Sequence, residues 1–371
     1  LAGRCTNRGV VIDWTERRNR LVSVDEEART CVVEPGIVLD ELNRQLADHG
    51  LMFGPKPSTH SHCALGGMIG NNSCGATAQR YGTTADNVRA LDILTYQGLR
   101  CRVGRTGEEE LADLLAEDGQ RGELYRRLCD IRDRYADDIR DRFPDIPRRI
   151  SGYNLDALVD GRGFDVARLV VGSESTLVTV LRAELELVPT VQATSMVVLG
   201  YSDIAAAADA VPEITAHSDP LELEAIDSVL VEFMRLKDMY PEAVAKLPRV
   251  PARLFAQFGD DTAEDTAQQS RDLLAALGKS PDDPDVLFTG DPELQEEIAK
   301  VRESGLGATA RVPHRPDAWP GWEDSAVAPE KLGDYLRDLT ALYEEVDYPR
   351  PSFYGHFGHG CVHVRSPFDL T

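Results

Sequence analysis

The chain has 371 residues, a formal net charge of −23 and 42% apolar residues. This length exceeds what one hydrophobic core commonly serves, so we expect two domains. The negative charge disfavours nucleic acid and anionic lipid as partners, and no apolar run reaches the roughly 18 residues of a membrane-spanning helix. If the substrate is an anion, its site must therefore carry local positive charge.

Cysteine usage points to a reducing compartment. The seven cysteines are odd in number and include no C-x-x-C pair. We therefore expect scattered thiols rather than a disulfide framework, a zinc ribbon or an iron–sulfur cluster held by this chain. A cytoplasmic location is predicted, and peripheral attachment to the inner membrane stays open.

The first half of the chain predicts short strands and two helical regions. Apolar or alternating runs predict strands at residues 10–13, 30–33, 91–96 and 101–103. A stripe from Val38 to Leu46, stopped by Gly50, predicts a helix, and the charged residues 107–140 are also helical. Residues 54–82 hold six glycines, a composition suited to bringing bare backbone close to a ligand.

Strands and helices alternate after Pro189, where the domain boundary is placed. The predicted strands are 196–199, 221–225, 253–258 and 287–288, and the predicted helices are 203–216, 227–239, 263–277, 292–303 and 329–345. This order predicts an α+β sandwich of an antiparallel sheet and helices.

The Gly/Asn-rich region carries the first resemblance to a known family. Residues 58–75 read STHSHCALGGMIGNNSCG, and glycines of this kind let backbone N–H groups converge on a pyrophosphate. Glycine density alone would equally suit a structural loop. The whole string, however, resembles the flavin-contacting segment of the vanillyl-alcohol-oxidase-like FAD family. The resemblance implies FAD contacts at Pro57, Ser58, Thr59, Leu65, Gly66, Gly67, Gly70, Asn71, Asn72 and Gly75.

Three further segments of the chain resemble motifs of that family and occur in the family's order. Residues 1–4 resemble the end of its pyrophosphate loop, 81–88 its "Y-G-x-x-x-D-x-V" segment and 172–177 its "G-S-E-G-T-L" motif, although Ser175 replaces the glycine. The implied contacts are Leu1, Ala2, Gly3, Tyr81, Gly82, Asp86, Val88, Gly172, Glu174 and Thr176. His60 and His62 allow a histidyl-flavin, but a role in shaping the loop or the substrate mouth is favoured.

A histidine cluster lies near the end of the chain. If residues 358–360 form the turn, His356 and His363 are opposite each other on paired strands. Their Cβ atoms would then lie about 4.5–5.5 Å apart, close enough for both imidazoles to bind one divalent metal. An isolated histidine pair is more often structural.

The string YGHFGHGCVH, residues 354–363, resembles "Y-G-H-x-G-D-G-N-L-H" of FAD-linked D-lactate, glycolate and D-2-hydroxyglutarate dehydrogenases. That resemblance implies that His356 and His363 bind a divalent metal such as zinc, manganese or iron. His359 stands where the family motif has an aspartate. A side chain that only accepts hydrogen bonds is thus replaced by one that can also donate them. The family's remaining ligands are expected downstream of this chain, which would leave the metal site incomplete.

Two segments bear on the substrate. Arg302-Glu303 resembles the family's "R-E" pair, whose arginine binds the substrate carboxylate in a bidentate fork; the alternative is a surface arginine on an amphipathic helix. Residues 322–327 resemble a strand that follows in the same family. Trp322 stands near the place where related enzymes have a lysine for a second carboxylate, which disfavours a lysine-clamped diacid.

The predicted fold is α+β. A vanillyl-alcohol-oxidase-type (PCMH-type) FAD-binding domain at 1–190, lacking its N-terminal part, precedes a ferredoxin-like α+β substrate (cap) domain at 191–371, lacking its C-terminal part.

The predicted function is FAD-dependent oxidation of a D-2-hydroxy acid, D-lactate favoured, to the 2-oxo acid. Arg302 would hold the carboxylate, and His359 or a later histidine would take the hydroxyl proton. The details are closest to long bacterial members with a C-terminal iron–sulfur domain, so a 4Fe-4S cluster is expected only in a domain that this chain does not include. Electrons would pass to that domain, a quinone or a cytochrome rather than to NAD, and a homo-oligomer is allowed.

Three alternatives remain from the sequence. One is a D-2-hydroxyglutarate dehydrogenase of the same family. Another is a non-catalytic FAD-binding subunit of a multi-protein oxidase. The third is an oxygen-using flavin oxidase of sugars or alcohols, which would need no metal.

Overall fold

A computed structural model describes residues 12–159, 163–315, 317–318 and 324–368. The chain forms two compact units. The first unit comprises Leu1–Pro144 and Ile150–Thr190, and the second comprises Asp145–Arg149 and Val191–Thr371. A five-residue excursion therefore belongs to the second unit although its flanking sequence belongs to the first.

The first unit is built on an antiparallel sheet of six strands in the order β1-β2-β7-β4-β5-β6, with a separate β3-β8 pair. The strands are β1 Leu21–Asp25, β2 Thr30–Val33, β3 Leu51–Met52, β4 Val88–Thr95, β5 Arg100–Thr106, β6 Phe164–Asp165, β7 Val178–Glu186 and β8 Val188–Pro189. The predicted strand at residues 30–33 and the predicted hairpin about Gly98 are confirmed. The predicted strand at 10–13 is wrong at Ile12 and Asp13, which form no ladder, and its first two residues lie outside the described ranges.

Six helices of the first unit lie within the described ranges. They are α1 Leu39–Leu46, α2 Leu65–Asn71, α3 Ala78–Tyr81, α4 Glu108–Ala116, α5 Gln120–Arg142 and α6 Val166–Val170. The stripe predicted for α1 is confirmed, because Leu39, Leu42 and Leu46 are completely buried in one core cluster. No helix in the described part of the chain is long and apolar enough to cross a bilayer.

Glu34, just after β2, is a buried carboxylate that ties the preceding loop to the sheet. Its side chain is fully buried and accepts hydrogen bonds from Arg20 and Arg18. The hydrogen bond from Arg20 is the main cause that lowers the pKa of Glu34 from 4.5 to about 2, although burial opposes it.

Replacing Glu34 with glutamine is expected to destabilise the protein by about 1–2 kcal/mol near neutral pH. Because the folded-state pKa is depressed, the carboxylate's contribution is complete above the unfolded pKa and is lost as the pH falls from about 4.5 toward 2. Urea unfolding of wild type and Glu34→Gln should therefore show a gap that narrows with acidification. The exposed Glu27→Gln serves as control, and a gap that does not depend on pH would contradict this role of Glu34.

The second unit is built on an antiparallel sheet of seven strands in the order β12-β9-β11-β10-β14-β15-β13. The strands are β9 Ala193–Tyr201, β10 Glu222–Asp227, β11 Ala252–Asp260, β12 Val286–Thr289, β13 Asp324–Ala326, β14 Ser352–Gly355 and β15 Cys361–Arg365. The strands predicted near 196, 221, 253 and 287 are confirmed.

Helices cover both faces of this sheet. They are α7 Ile204–Asp209, α8 Val211–His217, α9 Ser228–Leu236, α10 Pro241–Lys246, α11 Ala263–Ala276, α12 Pro292–Glu303, α13 Gly305–Thr309 and α14 Leu332–Glu345. Because side chains alternate along a strand, Leu223 and Ala225 of β10 pack with α7, α8, α11 and α14, whereas Ile226 packs with α9, α10, α12 and α13. The second face carries the polar residues described next.

Candidate active site

The second face of the sheet becomes polar where β10, β14, β15 and β13 meet. Glu224 of β10 lies on this face between two residues of the opposite core. His363 of β15 pairs with Tyr354 of β14 on one side and with Asp324 of β13 on the other. Strand alternation therefore brings an acid, an imidazole and a phenol from separated segments onto one surface.

The two outer histidines lie together, but not as the sequence predicts. Tyr354, not His356, is opposite His363, so the predicted register is wrong. β14 ends at Gly355, which has φ +147°, and the turn to β15 includes a short 3-10 segment at residues 357–359. His356 thus lies beyond the strand end, yet its ring centroid is 5.1 Å from that of His363.

A side-chain carboxyl group contacts one nitrogen of each ring. His356 Nδ1 lies 2.5 Å from Glu224 Oε1, and His363 Nδ1 hydrogen-bonds Asp324. Burial lowers the pKa of both histidines, most strongly for His356, so both rings are neutral near neutral pH. This arrangement directs each Nδ1 to a side-chain carboxyl group, so Nε2 is the remaining nitrogen of each ring. Arg302 Nη2 also lies 3.5 Å from His356 Nε2.

Glu224 is the most deeply buried acid of the group. Its residue is 2% exposed, and burial raises its pKa to about 8 even though Arg302 acts in the opposite direction. Asp324 differs from Glu224. Burial acts to raise the pKa of Asp324, but the hydrogen bond with His363 and the charges of His363 and the neighbouring arginines lower it below the ordinary value. Because the pKa of Glu224 is raised to about 8 and that of His356 is lowered, the proton that these two groups share lies on Glu224 near neutral pH.

Arg302, at the end of α12, is not a surface arginine. Its side chain is 12% exposed, forms an ion pair with Glu224, and places Nη2 3.0 Å from His356 Nδ1. Its Nε is buried and has no hydrogen-bond partner in the structure. A buried donor without a partner is costly, and an incoming acceptor would remove that cost.

Arg148 is the main residue that sequence reasoning missed. It lies in the five-residue excursion that belongs to the second unit, and only 8% of it is exposed. Its positive charge shifts the pKa values of Glu224, Asp324, His356 and His363. Arg365 of β15 is also buried, and its Nε lies 3.2 Å from the Tyr354 hydroxyl oxygen. We call Glu224, Arg302, His356, His363, Asp324, Arg148 and Arg365 the polar cluster.

His359 lies in the turn between the two outer histidines. Its backbone N–H donates to His356 O, and the residue is half-buried. Its charge contributes to the lowered pKa of His356. The structure therefore brings His359 close to the polar cluster, while Trp322 lies outside the described residues.

Metal-binding geometry is incomplete within the described ranges. No group of three or more His, Cys, Asp or Glu side chains there is arranged to hold a metal ion. The chemistry of the donor set nevertheless fits two ligands of a divalent site: two neutral imidazoles, each backed by a carboxylate. The six cysteines of the described part are free thiols.

In the first unit, helix α2 contains the glycines of the predicted FAD segment. A Cβ at Gly66 would lie 2.8 Å from Pro35 Cβ, so this glycine is needed for packing. A Cβ on Gly67 would meet nothing within 4 Å, and one on Gly70 would meet only Glu174 Cα at 3.9 Å. Bare, open backbone at these two positions fits close approach of a ligand.

The motif at 172–176 docks on the end of α2. Gly172 N donates to Ile69 O, and Glu174 N donates to Gly70 O, at 2.8 and 2.9 Å. Both Glu174 and Ser175 have left-handed backbone, with φ 48° and 63°. Ser175 thus adopts the conformation that favours the glycine of the family motif. Two segments that the sequence separates by a hundred residues are brought together here.

Other residues predicted to contact FAD also pack in the core or form hydrogen bonds within the protein. The Leu65 and Val88 side chains are in the core, so they would meet a cofactor through main chain alone. Asn72 Oδ1 accepts from Ala85 N, and Asp86 caps a turn while pairing with Arg168. Tyr81 packs close to Gly54.

The remaining predicted contacts are placed as follows. Gly82 has φ +73° beside Asp86, Gly75 abuts the main chain of Lys56 and Pro57, and Thr176 accepts from or donates to Tyr153. Ser58 and Thr59 are exposed in a turn, and Asn71 is the last residue of α2. His60 hydrogen-bonds Asp40, and His62 hydrogen-bonds Ser61. Leu1, Ala2 and Gly3 lie outside the described ranges.

Comparison with known proteins defines the class. The protein-family model described as FAD binding domain matches residues 1–104 of the chain. The family model described as FAD linked oxidases, C-terminal domain, matches residues 190–371. The chain belongs to the family of FAD-linked oxidases. The family and the two-part α+β fold predicted from the sequence are thereby confirmed.

The relatives are 2-hydroxy-acid enzymes by name. The chain is 30% identical over 99% of its length to D-2-hydroxyglutarate dehydrogenase of Pseudomonas putida, and it spans 37% of that protein. It is 25% identical to glycolate oxidase subunit GlcD of Bacillus subtilis, covering 99% of this chain and 66% of the relative. The chain is 26% identical to D-lactate dehydrogenase of Archaeoglobus fulgidus, and the match covers 96% of this chain and 65% of that protein.

Solved structures support the fold. An alkyldihydroxyacetonephosphate synthase superposes with a TM-score of 0.56 over 96% of this chain and 61% of that chain, at 14% identity.

Proposed function

We propose that this chain oxidises a D-2-hydroxy acid to the 2-oxo acid with FAD as the hydride acceptor and an acceptor other than NAD for the electrons. The observation that carries the proposal is the polar cluster: a buried arginine beside two neutral imidazoles, in a chain whose first part matches an FAD binding domain. A protein with net charge −23 places buried cations at this point, as an anionic substrate requires.

Arg302 would bind the substrate carboxylate. Its buried, unpartnered Nε offers a donor, and a guanidinium fork matches a carboxylate. Glu224 already pairs with Arg302, so it fixes the direction of the guanidinium before substrate arrives. Glu224 is therefore a positioning residue.

His356 and His363 would supply two ligands of a divalent metal through Nε2. For His356 this requires the tautomer in which Nδ1–H donates to Glu224 Oε1, 2.5 Å away, with Glu224 ionised and Arg302 Nη2 donating to Glu224 rather than to the ring. The positive charge of a bound metal would favour the ionised form of Glu224. A bound metal would lower the pKa of the substrate hydroxyl. His359, which lies in the turn beside His356, would accept the hydroxyl proton.

The electron balance follows from the substrate. The C2–H bond breaks with both electrons, the hydroxyl proton leaves to the base, and C2–O becomes a carbonyl. When bound, FAD supplies the hydride acceptor. The open backbone at Gly67 and Gly70 is where this chain would admit the cofactor.

A matched pair of glycine variants tests the cofactor site. Gly67→Ala adds a methyl group into open space on a helix, so it should leave the apoprotein at least as stable yet weaken FAD binding roughly tenfold or more. Gly75→Ala should destabilise the apoprotein by about 1–3 kcal/mol, because Gly75 has φ +107° and its Cβ would lie 2.0 Å from Lys56 O. FAD titration and melting curves separate the two effects. Wild-type FAD affinity in Gly67→Ala would place the cofactor elsewhere.

D-lactate was favoured by the sequence, but the arginines support a second candidate. Arg302 is already shared with Glu224, and Arg148 and Arg365 add two further buried cations to the same cluster. A substrate with a second carboxylate, as in D-2-hydroxyglutarate, could bind a second guanidinium of the polar cluster, whereas a monocarboxylate would use one.

Replacing Arg148 with glutamine should separate the two candidates. For a dicarboxylate substrate, kcat/KM should fall by roughly 30-fold or more, mostly through KM, because a buried cation opposite a carboxylate is lost. For D-lactate the change should be within about threefold. Arg149→Gln, in the same excursion, is the control. Equal losses for both substrates would show that Arg148 does not read the second carboxylate.

The electron acceptor and location follow from the same proposal. An iron–sulfur domain, a quinone or a cytochrome would take electrons from the flavin, in the cytoplasm or at the inner membrane. A dye-linked assay of the full-length protein with paired D- and L-acids tests the activity itself. Turnover of D-acids alone is expected, whereas turnover only of sugars or alcohols, or none with bound flavin, would favour the flavin oxidase or the non-catalytic subunit.

A further inference from the structure

A groove on the second unit lies between α9, α10 and the start of β11. Its cavity volume is about 830 Å³, within the range of small-molecule sites. Its walls are largely apolar and include Val231, Met234, Met239, Val244 and Val250.

Three arginines line the same groove. Arg235 and Arg249 are exposed at its rim, whereas Arg253, on β11, is only 3% exposed. None of the three forms an ion pair with a described residue. Asp238 is the single carboxylate of the lining, so the groove is positive within a strongly acidic chain.

The Arg253 guanidinium is only partly hydrogen-bonded. Its Nε donates to Pro248 O at 2.9 Å, while Nη1 is buried and has no hydrogen bond. Burial, and then the neighbouring Arg235, lower the pKa of Arg253 to about 10. The charge of the buried Asp227 acts in the opposite direction, but the oxygens of Asp227 accept hydrogen bonds from Leu230 N and Phe353 N. A buried guanidinium N–H group without a hydrogen-bond acceptor is costly, and an anionic ligand would supply that acceptor.

We propose that this groove, which we call the arginine groove, is a second ligand site for a small carboxylate with a hydrocarbon tail. The carboxylate binds at Arg253 with Arg249 and Arg235 at the rim, and the tail lies on the apolar walls. The site is separate from the polar cluster and does not depend on the proposed oxidation.

Three probes test the proposal by calorimetry on the full chain: octanoate, acetate with the same charge and no tail, and octan-1-ol with the tail and no charge. Octanoate should bind saturably and at least about tenfold more tightly than either of the others. Equal affinity of octanoate and acetate, or of octanoate and octan-1-ol, would contradict the proposed ligand class.

Variants locate the binding. Arg253→Met keeps the bulk and removes the charge, so it should fold as stably as wild type or more so and bind octanoate at least about tenfold more weakly. Arg249→Gln, at the exposed rim, cannot compromise the core and should weaken binding about threefold. Arg140→Gln on α5 controls for net charge, and Arg302→Gln controls for binding at the polar cluster. Unchanged octanoate affinity in Arg253→Met, or loss of affinity in Arg302→Gln instead, would overturn the proposal.

Discussion

Replacing Arg302 with lysine is expected to lower kcat/KM for the 2-hydroxy acid by roughly 10²–10³-fold. Lysine keeps the charge but loses the planar fork that binds a carboxylate through two N–H groups. It also loses the Nη2 position 3.0 Å from His356 Nδ1. Initial rates over a range of substrate concentration measure the effect, and a loss of less than tenfold would contradict the assignment.

The structural role of Arg302 can be separated from its role in binding. Because burial raises the pKa of Glu224 to about 8 even beside Arg302, Arg302→Leu leaves Glu224 protonated near neutral pH and should cost about 1–3 kcal/mol of stability there, with a larger cost as the pH rises and the buried carboxyl ionises. Adding Glu224→Gln should remove the pH-dependent part of that cost, because the amide does not ionise, but it should restore no activity. Recovery of activity in the double variant would show that Arg302 acts only on the fold. Arg271→Leu, on the exposed side of α11, controls for the loss of an arginine.

Substitution of either outer histidine is expected to remove the divalent metal. His356→Asn and His363→Asn should each lower metal content to background and lower turnover by roughly 100-fold or more. Each substitution removes one of the two proposed Nε2 ligands, which belong to rings whose centroids are 5.1 Å apart. Metal content is measured by mass spectrometry on purified protein, and bound flavin by its absorbance.

His217→Asn, at the exposed end of α8, is the matched control. Substitution of the backing carboxylates, Glu224→Gln and Asp324→Asn, should have smaller effects of about 10–100-fold. Full metal occupancy in both outer-histidine variants would mean that the pair is structural, as an isolated pair of histidines commonly is.

Motifs of consecutive residues carried most of what could be predicted. The Gly/Asn string, the turn motif at 172–176 and the histidine cluster each predict a ligand-facing segment, because their residue types suit backbone approach or imidazole chemistry. The alternating and apolar runs gave strands and helices of both units with few errors. Arg302 was recognised through its neighbour Glu303, and its burial settles the alternative of an exposed arginine.

The residues that were missed depend on contacts between distant segments. Glu224 sits in a strand that alternates normally, and only the packing of α12 over that face shows that it is buried. Arg148 comes from a charged stretch after α5, and nothing local indicates that five residues join the other unit. The register of His363 with Tyr354 depends on the turn length, which a positive φ at Gly355 and a 3-10 segment change.

Anaerobic reduction of the flavin by single substrates tests the central claim most directly. The full-length protein is mixed in turn with D-lactate, L-lactate, D-2-hydroxyglutarate and glycolate, with and without a chelator, and the flavin absorbance band is followed. The account predicts rapid bleaching by a D-2-hydroxy acid, slow or no bleaching by its L-enantiomer, and loss of bleaching with chelator that added metal restores. A protein that holds flavin but is reduced by none of these acids would contradict the proposed activity and leave only the FAD-linked oxidase fold.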